Sequence, residues 1–228
     1  MIPEIVPGVP GYAIESVFQP ALEVGGDFFQ IIPLEDTSTL IVLGDVSGKG
    51  LKAAMNVSLI VGTLRALAEL NANPASVLSG LNRLLTGRLQ GGFVTALAFR
   101  VDELGNCSVA NAGHLDPFLN GKELAIEGSL PLGIFSDTEY EQQNFSMSEG
   151  GRLTIYTDGV PEARNKHDEL YGFERTKVLL GSSPSAEFIA ETARAFGQED
   201  DITVMTITKV PVDSAEETTA INFATGQA

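Results

Sequence analysis

Apolar and polar positions change period several times along the chain, and each change marks an element. Residues 1–11, MIPEIVPGVPG, hold three prolines and no sustained period, so they read as an extended lead-in or linker. From Tyr12 the pattern is that of strands over 12–18, 28–33 and 39–43, the last a continuous apolar run expected of a buried strand. From residue 50 to 70 the period lengthens. Leu51, Ala54, Met55, Leu59, Val61, Leu64, Leu67 and Ala68 recur at three- and four-residue spacing, which predicts an amphipathic helix. Pro74 opens a second helix that is expected to run to about residue 89. Gly91-Gly92 returns the chain to strands over 93–101, 107–111 and 117–119, ahead of the Asn120-Gly121 hairpin signal. Further strands are expected near 139–145, at 152–156 and at 202–208, with a helix over 185–196 capped by Ser185. Two helices set between runs of hairpin strands predict an α+β domain over 12–210, an antiparallel sheet covered by helices rather than a parallel wind. Residues 211–228 lose the period and read as a polar, disordered tail.

Hydrophobic residues make up 43% and charged residues 19% of the 228, enough for a sizeable core. The charge balance changes the picture more. Lys and Arg total 14 against 30 Asp and Glu, a net charge of −16, and no two of the 14 cations are adjacent. Such a field repels phosphate backbones and anionic lipid, so neither nucleic-acid nor membrane partners are expected. It is also the balance carried by chains that hold divalent cations. No uninterrupted apolar run approaches the length of a spanning helix, and the first cation, Lys49, comes too late for a secretory signal. The lone Cys107 reads as a small core residue in an apolar alternation. A cytoplasmic protein is expected.

Four acidic positions share one local design, an Asp beside Gly or another Asp at a strand end: Gly25-Gly26-Asp27, Gly44-Asp45-Val46-Ser47-Gly48-Lys49-Gly50, Thr157-Asp158-Gly159 and Asp200-Asp201-Ile202-Thr203. Asp is a short, hard oxygen ligand, and an adjacent glycine lets an ion come close. Carboxylates gathered from distant strand ends repel one another unless a cation lies between them. Each Asp-Gly is equally the composition of an ordinary turn. Asp45 and Asp158 stand apart because each follows a buried-looking strand, where a charge is expensive unless compensated. The Gly44–Gly50 stretch fails as a phosphate-cradling loop, since three residues, not four, separate the first Gly from Gly48-Lys49, and Gly follows in place of Ser or Thr. A serine-nucleophile elbow and H-E-x-x-H zinc spacing are absent. Of the two histidines, His167 lies in a polar stretch, and His114 reads either as a structural hydrogen-bonding residue or as part of a site.

Taken in order, Pro20-Ala-x-x-Val-Gly-Gly-Asp27-Phe, Gly44-Asp-Val-Ser-Gly-Lys-Gly50 with Ala53-Ala54, Asn111-Ala-Gly-His114, Leu130-Pro-Leu-Gly133, Tyr156-Thr-Asp-Gly-Val160 with Glu162-Ala163-Arg164, and Asp200-Asp-Ile-Thr203 closely resemble the SpoIIE-like bacterial branch of the metal-dependent (PPM, protein phosphatase 2C-like) Ser/Thr phosphatases. The resemblance covers roughly residues 10–209. It implies a central antiparallel β-sandwich flanked by α-helices on both outer faces, a four-layer αββα arrangement. It implies two ions, Mn²⁺ or Mg²⁺, with Asp45 bridging them and the Val46 carbonyl on one. Asp158 and Asp200 match ligands of the second ion, and Asp27, beside the first, joins Asp45 in the catalytic pair. Asp201 and Gly159 fall in supporting positions. Eukaryotic relatives carry a phosphate-gripping arginine five residues before the first Asp; here that position is Leu22, and Lys49 is the nearest substitute. The implied reaction is hydrolysis of a phosphoserine or phosphothreonine on a bacterial signalling protein, an anti-sigma-factor antagonist in this branch, by a two-metal-activated water. A regulatory or sensor domain is an implied partner. The alternative is a non-catalytic pseudo-phosphatase that binds such a partner without turnover.

Overall fold

Alternation at period two builds the centre of the molecule. The computed structural model describes residues 7–211 and the backbone of residues 219–223. Strands β1 (Tyr12–Gln19), β10 (Arg152–Tyr156), β11 (Ile202–Lys209), β12 (Thr219–Phe223), β6 (Phe118–Leu119) and β7 (Lys122–Glu123) form one sheet in the order β12-β1-β11-β10-β6-β7. Strands β2 (Asp27–Pro33), β3 (Thr39–Val46), β4 (Val94–Val101), β5 (Asn106–Ala112) and β8 (Gly128–Ser129) form the other in the order β2-β3-β4-β5-β8, with β9 (Gln143–Ser146) also pairing β5. Pairing is antiparallel as expected, except for β1 with β12 and β5 with β8, which are parallel. The inner faces meet through Ile14, Phe29, Ile31, Ile41, Leu43, Leu97, Phe99, Val109, Leu153, Ile155, Met205 and Ile207, all buried. Full burial of one such side chain stabilises the fold by about 1.5–3 kcal/mol.

The residues one step out of phase face the helices. Phe28, Leu40, Val42 and Val46 pack under α1 (Leu51–Leu70) and α2 (Pro74–Leu85). Val17, Tyr156, Ile202 and Val204 pack under α3 (Phe173–Gly181) and α4 (Ala186–Gly197). The result is the expected four-layer αββα sandwich. Ser185 caps α4 by accepting from the Phe188 amide at 3.2 Å, as its sequence position predicts. Asn73 caps α2 in the same way through Ser76, and α2 ends at Leu85 rather than near 89, because Gly87 takes a left-handed conformation (φ 78°) that the helix cannot accommodate.

Three further differences from the sequence reading have physical causes. Helix α3 was not expected, since only Thr176 and Leu180 of its nine residues are buried, too few to set a period. On α1 the buried face is Ala53, Val57, Ile60, Val61, Leu64 and Ala68, while Leu51, Met55 and Leu59 are exposed. This helix is apolar around much of its circumference, so spacing alone cannot choose the inward stripe. By length and overall composition α1 also meets the requirement for crossing a membrane, although Lys52, Arg65 and Glu69 interrupt its apolar residues. Its inward stripe packs on β2 and β3, which is the arrangement of a core helix. Finally, within the expected polar tail, residues 219–223 pair with β1 and cover that sheet edge. The rest of that tail, 212–218 and 224–228, and residues 1–6 of the lead-in lie outside the described residues.

Candidate active site

At one end of the sandwich the inner-facing rows turn from apolar to polar in phase. Two residues before Phe29 comes Asp27, and two after Leu43 comes Asp45; Thr95 precedes Leu97, and Asn111 follows Val109. On the facing sheet Thr157 follows Ile155, and Thr203 and Asp201 precede Met205. The alternation that fills the core therefore delivers carboxylates and hydroxyls to one rim. The β2–β3 ladder sets Asp27 directly opposite Asp45, and the β3–β4 ladder sets Asp45 opposite Thr95.

Asp27 is 1% exposed. Its Oδ2 accepts hydrogen bonds from the hydroxyls of Thr157 at 2.8 Å and Thr203 at 2.5 Å, both from the other sheet. Burial, then the charge of Asp45, pushes its proton affinity well above the ordinary carboxylate range despite those donors. Asp45 is half-buried in the rim and is pushed up to about 7, first by desolvation and then by Asp158, Asp200 and Asp201. Asp158 is pushed up to about 6 by desolvation, Glu162 and Asp200. Among the described residues, no lysine or arginine forms an ion pair with any of these three carboxyls. The site is thus a concentration of desolvated negative charge without an internal counterion for its central members.

The remaining acidic residues have partners. Asp201, 6% exposed, accepts from the amides of Ala21 at 2.9 Å and Gly26 at 2.7 Å and ties the 20–26 loop to the start of β11. A Cβ on Gly25 would lie 2.0 Å from its Oδ2, so the loop can wrap this carboxylate only as glycine. Its supporting role is structural in that sense. Gly159 serves the same junction from the other side, since a Cβ there would lie 2.0 Å from the Asp201 carbonyl oxygen. Asp200 turns outward and pairs with Lys49 at 3.0 Å, and Lys49 also donates to the Glu199 carbonyl at 2.8 Å. Lys49, expected as a phosphate-gripping residue, is here engaged by the acidic rim itself. Gly48 and Gly50, with φ of 98° and 73°, provide the left-handed steps that take the chain from β3 into α1 beside the site.

His114, 8% exposed, has its Nδ1 2.9 Å from the Thr95 hydroxyl and its Nε2 3.1 Å from the Tyr156 carbonyl. A carbonyl only accepts, so Nε2 carries the proton and Nδ1 accepts from Thr95. Burial pushes the imidazole down to about 4, so it is neutral at physiological pH. His167 is exposed. Cys107 is 3% exposed in β5, as its alternation predicts, and burial raises its thiol to about 11.

The donor chemistry fits hard divalent cations. Near Gly26, the Val46 carbonyl oxygen, an Asp45 carboxylate oxygen and the Gly48 carbonyl oxygen converge on the space a Cβ would fill. Asp27, Asp45 and Asp158 supply the uncompensated charge. Among the described residues, however, no three acidic or histidine side chains stand together as a ready coordination shell. Asp200 is held instead by Lys49. Thr157, Thr203 and Glu162 fall within the quoted motifs but, like Thr95, had no role assigned from the sequence; polar residues at positions where the inner-face period calls for apolar ones would have marked the three threonines.

Comparison with known proteins places this geometry. The phosphoserine phosphatase RsbU of Bacillus subtilis is 29% identical over 183 residues, covering 76% of this chain and 54% of that protein, so the chain spans about half the length of this curated relative. The RsbU and RsbW domains of a Mycobacterium tuberculosis protein share the fold with a TM-score of 0.73 at 24% identity, covering 90% of this chain and 62% of that one. The SiaA PP2C domain of Pseudomonas aeruginosa does so with a TM-score of 0.70 at 22% identity, covering 87% and 85%. The model of the family described as stage II sporulation protein E (SpoIIE) matches residues 35–209, from the β2–β3 turn to the end of β11, and this chain belongs to that family.

Proposed function

We propose that the chain is a metal-dependent protein serine/threonine phosphatase whose substrate is a phosphoserine or phosphothreonine on a bacterial signalling protein, an anti-sigma-factor antagonist being the expected one. The observation that carries this is the rim of Asp27, Asp45 and Asp158, three desolvated carboxyls with raised proton affinity, Asp45 acting on Asp27 and Asp158 on Asp45, with none of the three in an ion pair among the described residues. Two Mn²⁺ or Mg²⁺ ions, when bound, would lower the pKa of a water and neutralise charge developing on the phosphoryl oxygens. Asp45, central in the rim, would bridge them, with the Val46 carbonyl, Asp158 and Asp27 as further donors and Asp200 joining once released from Lys49.

The chain's own residues contribute orientation and charge. Thr157 and Thr203 hold Asp27 in one rotamer by donating to a single carboxylate oxygen. Asp201 fixes the 20–26 loop that borders the rim. Lys49, freed from Asp200, carries the cation nearest the site and would meet a phosphate dianion. No nucleophilic Cys or His takes part, since Cys107 lies in the core and His114 is committed at both nitrogens. The relative named as a phosphoserine phosphatase supports the substrate class. Because that relative extends well beyond the matched region, a regulatory or sensor domain is a proposed partner. The test is release of inorganic phosphate from a phosphoserine protein substrate with Mn²⁺, with Mg²⁺ and with EDTA. Turnover with either metal and none with EDTA is expected; turnover undiminished in EDTA would overturn the reading.

A further inference from the structure

The carboxyls of the candidate site belong to two different sheets, so a tie must fix the spacing between them. Asp27 and Asp45 lie on β2 and β3, whereas Asp158 follows β10. Nearby, the sheets meet through apolar contact, which resists separation but is nondirectional and does little to fix a distance to a fraction of an ångström. His114 supplies a directional connection. Its Nδ1 accepts from Thr95, the residue directly opposite Asp45 in the β3–β4 ladder. Its Nε2–H donates to the carbonyl of Tyr156, the last residue of β10 and two before Asp158. The ring is itself held. The His114 amide donates to Asn111 Oδ1 at 2.8 Å, and Asn111 Nδ2 donates back to the His114 carbonyl at 3.1 Å.

From these contacts we infer that His114 is a positioning residue, a neutral strut that sets the distance from the Asp45 strand to the Asp158 loop and so sets the affinity of the rim for divalent cation. The inference deepens the metal-dependent reading above and rests on it. The Asp27 bonds to Thr157 and Thr203, and the Asp201 bonds to the Gly26 and Asp27 amides, also cross between sheets, but the first use a candidate ligand and the second reach the start of β2 rather than the Asp158 loop. The Thr95–His114–Tyr156 tie contains no carboxylate. Apolar packing alone would keep the sandwich closed without it, which separates a positioning role from a purely structural one.

The experiment measures Mn²⁺ binding by calorimetry to the full chain as wild type, His114→Ala, His114→Asn and His114→Gln, with thermal melting in EDTA as the fold check. A glutamine amide nitrogen reaches about as far as Nε2 and still donates to the Tyr156 carbonyl, whereas an asparagine amide reaches only as far as Nδ1. Outer partners of metal ligands are typically worth about 10- to 100-fold in affinity. His114→Ala should therefore lose at least about tenfold, and His114→Asn and His114→Gln, each of which keeps only one end of the tie, should also bind Mn²⁺ more weakly than wild type. If His114→Ala does not fold, Thr95→Val, which removes the hydroxyl at nearly constant shape, breaks the tie from its other end and should lose affinity in the same direction. Folded His114→Ala and His114→Asn, or folded Thr95→Val, binding Mn²⁺ as tightly as wild type would overturn the inference while leaving the metal site standing. A wild type that binds no Mn²⁺ would instead overturn the metal reading, and the inference with it.

Discussion

Replacing Asp45 by Asn should make the metal-free protein more stable at alkaline pH, although it destroys the metal site. Burial and the charges of Asp158, Asp200 and Asp201 push this carboxyl from 3.8 to about 7 in the folded chain. At about 1.36 kcal/mol for each pK unit, ionising it in place costs roughly 4 kcal/mol above both values. Asparagine keeps the shape and drops the charge, but its amide remains partly desolvated, so the net gain expected is about 2–4 kcal/mol. In a chain of this size that corresponds to roughly 5–15 °C in melting temperature. The sign depends on pH. Between about pH 4 and 7 the folded state holds a proton that the unfolded state has released, so this group's contribution to stability is intact below pH 4 and is lost as pH rises through 7. The gap between Asp45→Asn and wild type in EDTA should therefore be near zero at pH 4 and largest at pH 8. Asp158, also raised, titrates over the same range in both proteins, while Asp27, held up in part by the Asp45 charge, is relieved by the same substitution and adds to the gap in the same direction. Scanning fluorimetry across that range reads it directly. Adding Mn²⁺ should raise the melting point of wild type at pH 8 and leave the variant nearly unmoved. An Asp45→Asn protein that melts at or below wild type in EDTA at pH 8, or a gap independent of pH, would refute the electrostatic account of the rim.

The other expectations concern single contacts. Asp45→Ala should abolish phosphate release while circular dichroism remains that of the folded chain; activity near wild type would remove Asp45 from the metal site. Lys49→Met frees Asp200 and adds to the local negative charge, so it should tighten Mn²⁺ binding several-fold while raising KM for the phosphorylated protein; weaker Mn²⁺ binding would show that the ion pair assists the site instead of competing with it. Cys107→Ala should keep full turnover and cost about 1 kcal/mol by denaturant titration, since a buried thiol with a raised pKa acts as a small apolar group; loss of turnover without unfolding would place cysteine in the chemistry. Gly159→Ala drives a methyl into the Asp201 backbone and should lower stability by about 1–3 kcal/mol and reduce Mn²⁺ affinity; a neutral result would mean the Asp158 loop can move aside.

The sandwich was legible in the sequence because strands buried on both faces advertise themselves: β3 reads as an unbroken apolar run from Leu40 to Leu43, and its end is announced by Gly44-Asp45. The acidic positions were legible for the complementary reason, that Asp45 and Asp158 sit where burial forbids an uncompensated charge. What the pattern could not reveal is how neighbouring carboxylates divide the work. Asp200 and Asp201 are adjacent and chemically identical, yet one faces Lys49 and solvent while the other takes the amides of the 20–26 loop, a split decided by strand phase at the start of β11. Likewise Glu199, whose carbonyl accepts from Lys49, lies 150 residues away in sequence, and the His114 tie joins strands that are not neighbours in either sheet. Such contacts are set by the packing of two sheets, which no local window contains.

The direct opposition of Asp27 and Asp45 in the β2–β3 ladder makes folding fidelity and metal competence the same variable. Side chains alternate faces at every step, so a slip of β2 by one residue relative to the sheet would carry Asp27 out of the rim and into the apolar layer beneath α1, and put Phe28 in its place. A mispaired molecule would therefore lack a donor as well as bury a charge, and could not pass as a slightly impaired enzyme. Errors in this hairpin would be eliminated as unfolded chains, leaving a population in which every folded copy has its first two carboxylates in the correct positions.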